Sequence, residues 1–86
     1  MPEQYQIVPT KTFIKDLEKR VNPEYVLQIE KAIDELGKNP YQGMKLASIK
    51  IGKWRIRIGD YRIKYDIEGD KVILLRILHR KDIYRK

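Results

Sequence analysis

Apolar and basic residues alternate strictly along KWRIRIGDYRIKY, residues 53 to 65, on both sides of a Gly59-Asp60 step. Period-two alternation marks a half-buried strand, and a two-residue gap between two such runs closes a tight hairpin. That register sets Ile58 opposite Tyr61, Ile56 opposite Ile63 and Trp54 opposite Tyr65 on one face. Trp54, Tyr61 and Tyr65 therefore read as core. On the other face Arg57 meets Arg62, and Arg55 meets Lys64. Like charges directly opposite one another oppose sheet formation. Two such pairs side by side point to an anionic ligand.

The flanking segments complete an α+β pattern. Residues 5 to 9 predict a short opening strand closed by Pro9. Thr10 caps a first helix running to about Arg20, with Phe13 and Leu17 on its inner face. Asn22-Pro23 restarts the helix, since Asn caps and Pro suits the first helical position. Val26, Ile29, Ile33 and Leu36 follow at helical spacing until Gly37 and Pro40 end it. A strand is expected around Lys45 to Ile51, then the hairpin, then a last strand over residues 71 to 79 and a short C-terminal turn or helix. A three-residue loop, Glu68-Gly69-Asp70, puts Ile73, Leu75 and Ile77 opposite Tyr65, Ile63 and Tyr61. This keeps Arg76 off the core face and beside Arg62. Val72, Leu74 and Leu78 then share the basic face. The predicted order is β-α-α-β-β-β-β, with a two-helix hairpin on one face of a mostly antiparallel sheet.

Composition sharpens this reading. The 86 residues fit one small domain, residues 1–86. The chain has no cysteine and one histidine, His79, so a disulfide framework and an ordinary zinc site are both excluded, and no metal or other cofactor is expected. Apolar runs are too short to span a bilayer and the N-terminus lacks a secretory h-region, so a soluble cytoplasmic protein is expected. The net charge of +7 divides as −1 over residues 1–43 and +8 over residues 44–86. Basic charge concentrated in one half suits nucleic acid, an acidic protein or a membrane surface.

Arg55, Arg57, Arg62 and Arg76 fall on one predicted sheet face, with Arg80 just past the strand end. Guanidinium groups bind phosphate by charge and by paired hydrogen bonds. The cluster is thus a phosphate clamp, the alternative being a solvated strand face. Histidine is the side chain whose charge ordinarily changes near neutral pH, so His79 is a candidate acid or base, or simply a polar strand end. Tyr84 offers a face for a base or a phenolic proton, or tucks the C-terminal turn against the core.

These residues carry a resemblance to the RelE-type toxins of the RelE/ParE superfamily. It covers nearly the whole chain: the two-helix N-terminal half, the Trp54 to Tyr65 hairpin and the HRKDIY ending. The resemblance implies a toxin of a type II toxin–antitoxin system, a ribosome-dependent and metal-independent endoribonuclease. Such proteins cut mRNA in the ribosomal A site by attack of the 2′-hydroxyl on the adjacent phosphate. It also implies a cognate acidic, RelB-like antitoxin that masks the basic face, with a free monomeric toxin and a toxin–antitoxin hetero-oligomer. Matched by position, the catalytic set is Arg55, Arg57, Arg62, Arg80 and Tyr84, with His79 near the same end. Lys45, Lys50, Lys53, Lys64, Arg76 and Lys81 complete an RNA-binding set. Well-known bacterial members carry lysines where this chain has Arg55 and Arg57, and arginine does not release its proton. The base then falls to Lys64 or His79, or the chemistry rests on electrostatic stabilisation alone. Two other functions fit the same fold: a ParE-like inhibitor of DNA gyrase that cuts no RNA, and a non-catalytic RNA- or ribosome-binding module.

Overall fold

The structure, a computed structural model, describes residues 3–46 and 52–81. Strand β1 (Gln6–Pro9) leads into helix α1 (Lys11–Lys19) and helix α2 (Pro23–Lys38). A 3₁₀ turn over Pro40–Gln42 precedes β2 (Met44–Lys45), β3 (Trp54–Ile58), β4 (Tyr61–Glu68) and β5 (Lys71–His79). The five strands form one sheet in the order β1-β5-β4-β3-β2. Only the β1–β5 pair is parallel. The predicted α+β order holds, although residues 47–51 of the expected strand at 45–51 lie outside the described residues.

Both helix starts form as their sequences dictate. The Thr10 hydroxyl accepts the Phe13 N–H at 3.2 Å, and the Asn22 side chain accepts the Glu24 N–H at 3.2 Å. Gly37 does not end α2 as expected. It lies inside the helix, where the lack of a Cβ lets the Gln4 side chain pass close by, and its carbonyl accepts the Tyr5 N–H at 2.7 Å. The stop falls instead at Asn39, whose side chain accepts the Tyr41 N–H and caps the following turn.

One face of the sheet packs against α1 and α2. Phe13, Ile29 and Leu36 from the helices meet Tyr61, Ile63, Tyr65, Val72, Leu74 and Ile77 from the strands, all buried. Tyr65 is fully enclosed, and its hydroxyl donates to the Pro40 carbonyl at 2.7 Å. Burial pushes this phenol up to about 12, so it remains a donor at physiological pH. Tyr65→Phe leaves that carbonyl unpaired and is expected to cost about 1–2 kcal/mol. Urea unfolding checks this as a lower midpoint at unchanged slope.

The β3–β4 register is the one the alternation predicts, residue for residue. The β4–β5 register is not. The strands close through a two-residue Gly69-Asp70 turn, with Glu68 opposite Lys71 and Leu74 opposite Tyr65. A bulge then leaves Leu75 unpaired, and beyond it Arg76 faces Lys64 and Ile77 faces Ile63. The extra residue reverses the alternation partway along the strand. Val72 and Leu74 therefore face the core, Ile73 and Leu75 take the opposite face, and Ile77 and Leu78 keep their predicted faces. Arg76 sits opposite Lys64 rather than beside Arg62. The Thr10 hydroxyl lies 2.9 Å from the Leu74 carbonyl and 3.3 Å from that of Leu75, fastening the bulge to the start of α1.

Candidate active site

The sheet face turned away from the helices carries two cationic rows. Arg55 on β3, Lys64 on β4 and Arg76 on β5 are consecutive cross-strand neighbours. The next row is Arg57, Arg62 and Leu78. Past the end of β5 the chain turns so that the Arg80 N–H donates to the Asp60 carbonyl at 2.7 Å. The Arg80 guanidinium lies 3.7 Å from the Asp60 carboxylate. This joins the end of β5 to the tip of the β3–β4 hairpin. It brings Arg57, Arg62 and Arg80 around a concavity of about 210 Å³ that Gly59 and Asp60 also line. The Arg57 Nε–H donates to the Gly59 carbonyl at 3.1 Å, which holds its stem along the rim. Gly59 has φ of +59°, a conformation that favours glycine at this turn.

A second concavity, about 440 Å³, shares Arg57 and Arg62 with the first. Arg55, Ile56, Met44 and Leu46 also line it. The Arg55 Nε–H is buried and has no hydrogen-bond partner among the described residues. Buried donors are ordinarily paired, so this orphan is unusual within the cluster.

Lys64 is lowered from the ordinary lysine value, first because burial disfavours its charge and then because Arg55 and Arg76 flank it. Arg76 is itself fixed: its Nε–H donates to the Asp16 carboxylate at 2.8 Å. Asp16, buried on α1, also accepts the Ile77 N–H at 3.0 Å and lies 3.6 Å from Arg20. It covers the edge of β5 where β1 has ended. Asp66, an acidic residue on the same face, accepts the Gly52 and Lys53 N–H groups at 2.9 and 2.8 Å. Its role is to hold the chain entering β3.

Of the remaining predicted residues, His79, Lys45 and Lys53 stand apart from the arginine cluster. His79 lies opposite Tyr61 on the helix-facing side, its ring edge-on to Tyr61 with centroids 5.1 Å apart. Its Nδ1 accepts the Lys81 N–H at 3.1 Å. Lys45 extends over the Trp54 ring at 5.9 Å, on the same side of the sheet as Trp54. Lys53 borders a separate concavity of about 400 Å³ with Asp66, Ile73 and Leu75. Lys50 and Tyr84 lie outside the described residues. Sequence reading missed Asp16 and Asp60. Asp60 was visible only as a turn residue, and Asp16 only as a polar position on an amphipathic helix.

A two-helix layer over one face of a five-stranded sheet, with clustered arginines on the other, defines a small α+β protein with a strongly cationic open face. The family model described as ParE toxin of type II toxin–antitoxin system, parDE, matches residues 7–84. Toxin RelE3 of Methanocaldococcus jannaschii is 39% identical over 84 residues, covering 92% of this chain and 94% of that protein. The toxin–antitoxin complex RelBE2 from Mycobacterium tuberculosis superposes with a TM-score of 0.80 at 28% identity, covering 95% of this chain and 98% of that one. The RelB–RelE antitoxin–toxin complex from Methanococcus jannaschii gives 0.74 at 34% identity, with 90% and 94% covered. The chain belongs to the ParE toxin family of type II toxin–antitoxin systems, and within it to the RelE-type toxins. No described helix is long and apolar enough to cross a membrane.

Proposed function

We propose that this toxin is a cytoplasmic, ribosome-dependent endoribonuclease that cuts mRNA in the A site by 2′-hydroxyl attack, without a metal. The observation that carries the reading is the convergence of Arg57, Arg62 and Arg80 on one open concavity. Three guanidinium groups there match a phosphate whose charge grows in the transition state, where preorganised donors contribute most. Arg62 and Arg80 hold the scissile phosphate. Arg55 and Arg57 orient the RNA and neutralise developing charge. Tyr84 stacks on a base or relays a proton. The further cations Lys45, Lys50, Lys53 and Lys81 serve the electrostatic attraction of ribosome and message.

The partner is an antitoxin, in line with the toxin–antitoxin complexes of the relatives, and the basic face calls for an acidic one. Its segment lies across the basic face beside Leu78, Ile73 and Leu75. Leu74, read from the sequence as part of that face, is core.

Induced expression in a test cell, followed by primer extension on a translated message, is expected to show growth arrest and cuts inside codons. Arrest with intact message and gyrase-dependent DNA breaks would replace this reading with gyrase inhibition. Neither arrest nor cuts would leave a binding module.

A further inference from the structure

We infer that the Lys64 amine, set between Arg55 and Arg76 on the open face of β4, is the general base that takes the proton from the attacking 2′-hydroxyl. This assignment rests on the nuclease reading. Lys64 and Arg62 stand two positions apart on the same face of one strand, a separation of roughly 7 Å between Cα atoms. The Lys64 stem runs beside Gly52 in the structure, and its four carbons are long enough to swing the amine across that separation to a sugar whose phosphate Arg62 holds.

The arginines, the histidine and the two aspartates nearest the cluster are excluded by position or chemistry. Arg55, Arg57, Arg62, Arg76 and Arg80 cannot lose a proton at working pH. His79 lies on the helix side of the sheet with Nδ1 occupied by the Lys81 N–H. Both carboxylate oxygens of Asp66 accept backbone N–H groups. Asp60 lines the concavity but is paired with Arg80.

The surroundings of Lys64 favour its neutral form. Arg55 of β3 and Arg76 of β5 face it directly, and Arg62 adds a third cation along β4. Asp66, the next residue on its own strand and face, is engaged by Gly52 and Lys53. Asp16 of α1 holds Arg76 rather than Lys64. The lowering of Lys64 agrees with this arrangement. In the step itself the neutral amine takes the 2′-hydroxyl proton and the 2′-oxygen bonds to phosphorus. The bond from phosphorus to the 5′-oxygen breaks, that oxygen leaves with the electron pair and gains a proton from water, and the ammonium later returns its proton to water. The products are a 2′,3′-cyclic phosphate and a 5′-hydroxyl.

The test uses the full chain and ribosomes carrying a message, with single-turnover cleavage measured against pH. Lys64→Arg keeps the charge but cannot accept the proton. It is expected to cut at least about 100-fold more slowly at neutral pH while its ribosome affinity and melting temperature hold. Lys64→His is expected to recover part of the rate and to move the acid limb of the profile to lower pH. A nitrogen NMR titration of the wild-type Lys64 amine is expected to reach its midpoint below the ordinary lysine range, independently of cleavage. Wild-type rates in Lys64→Arg, an unmoved limb in Lys64→His or an ordinary lysine midpoint would each overturn the assignment while leaving the nuclease reading intact. Loss of the limb in Asp60→Asn alone would give the role to Asp60. A wild-type protein that cuts no message would overturn both.

Discussion

Arg62→Ala is expected to cut ribosome-bound message about 10²- to 10³-fold more slowly than wild type, the usual loss when one preorganised transition-state donor is removed. Arg62 borders both concavities on the basic face, and it sits opposite Arg57 on the adjacent strand. The substitution also removes a like-charge cross-strand pair, so the folded state is expected to hold or gain stability. Together these outcomes separate a functional role from a structural one: cleavage collapses while the thermal transition stays put or rises. Single-turnover cleavage beside a circular-dichroism melt reads both. A variant that melts early and cuts normally when folded would mean that Arg62 serves the fold.

Asp16→Ala is expected to have the largest effect on stability, about 2 to 3 kcal/mol. It strips a buried N–H of Ile77 of its acceptor and removes the anchor of Arg76. An unpaired buried donor costs roughly 1–3 kcal/mol, and a hydrogen bond to a charged group contributes on the order of 1.5–3 kcal/mol. The Arg76 and Arg20 side chains are 38% and 51% exposed, so water screens their attraction to Asp16 and the total stays below the sum of the parts. For a domain of this size that destabilisation corresponds to roughly 10–20 °C in melting temperature. A shift of only one or two degrees would show that the β5 edge does not depend on this carboxylate. Arg76→Met, which leaves the Ile77 contact in place, is expected to lose clearly less.

The hairpin at the centre of the fold was readable because two things agreed. Alternation assigned every side chain from Trp54 to Tyr65 to a face, and the Gly59-Asp60 step fixed the register. The helix starts at Thr10 and Asn22 were readable for a similar reason, since capping is local chemistry. The last strand was not, because KVILLRILH is apolar at both parities over residues 72 to 75. Such a run says nothing of which side faces the core. The bulge at Leu75 resolves a conflict that a straight strand cannot: a two-residue turn, Leu74 in the core and Arg76 outside it. The site divides along the same line. Arg55, Arg57, Arg62 and Lys64 share the hairpin's alternation and were placed correctly on one face. Arg80 reaches them only through its backbone bond to Asp60, a contact across the sheet end that no periodicity encodes. His79, close to Arg80 in sequence, is carried to the other side of the sheet by its pairing with Tyr61.

The most direct test of the account is the chemistry of the cut ends. Purified toxin, ribosomes and a short defined message are incubated together, and the upstream fragment is analysed by mass spectrometry. Attack by the 2′-hydroxyl on a phosphate held by the arginine cluster predicts a 2′,3′-cyclic phosphate on that fragment, a 5′-hydroxyl on the other, and no cutting of the same message without ribosomes. A 3′-hydroxyl paired with a 5′-phosphate, or a message left whole, would contradict it.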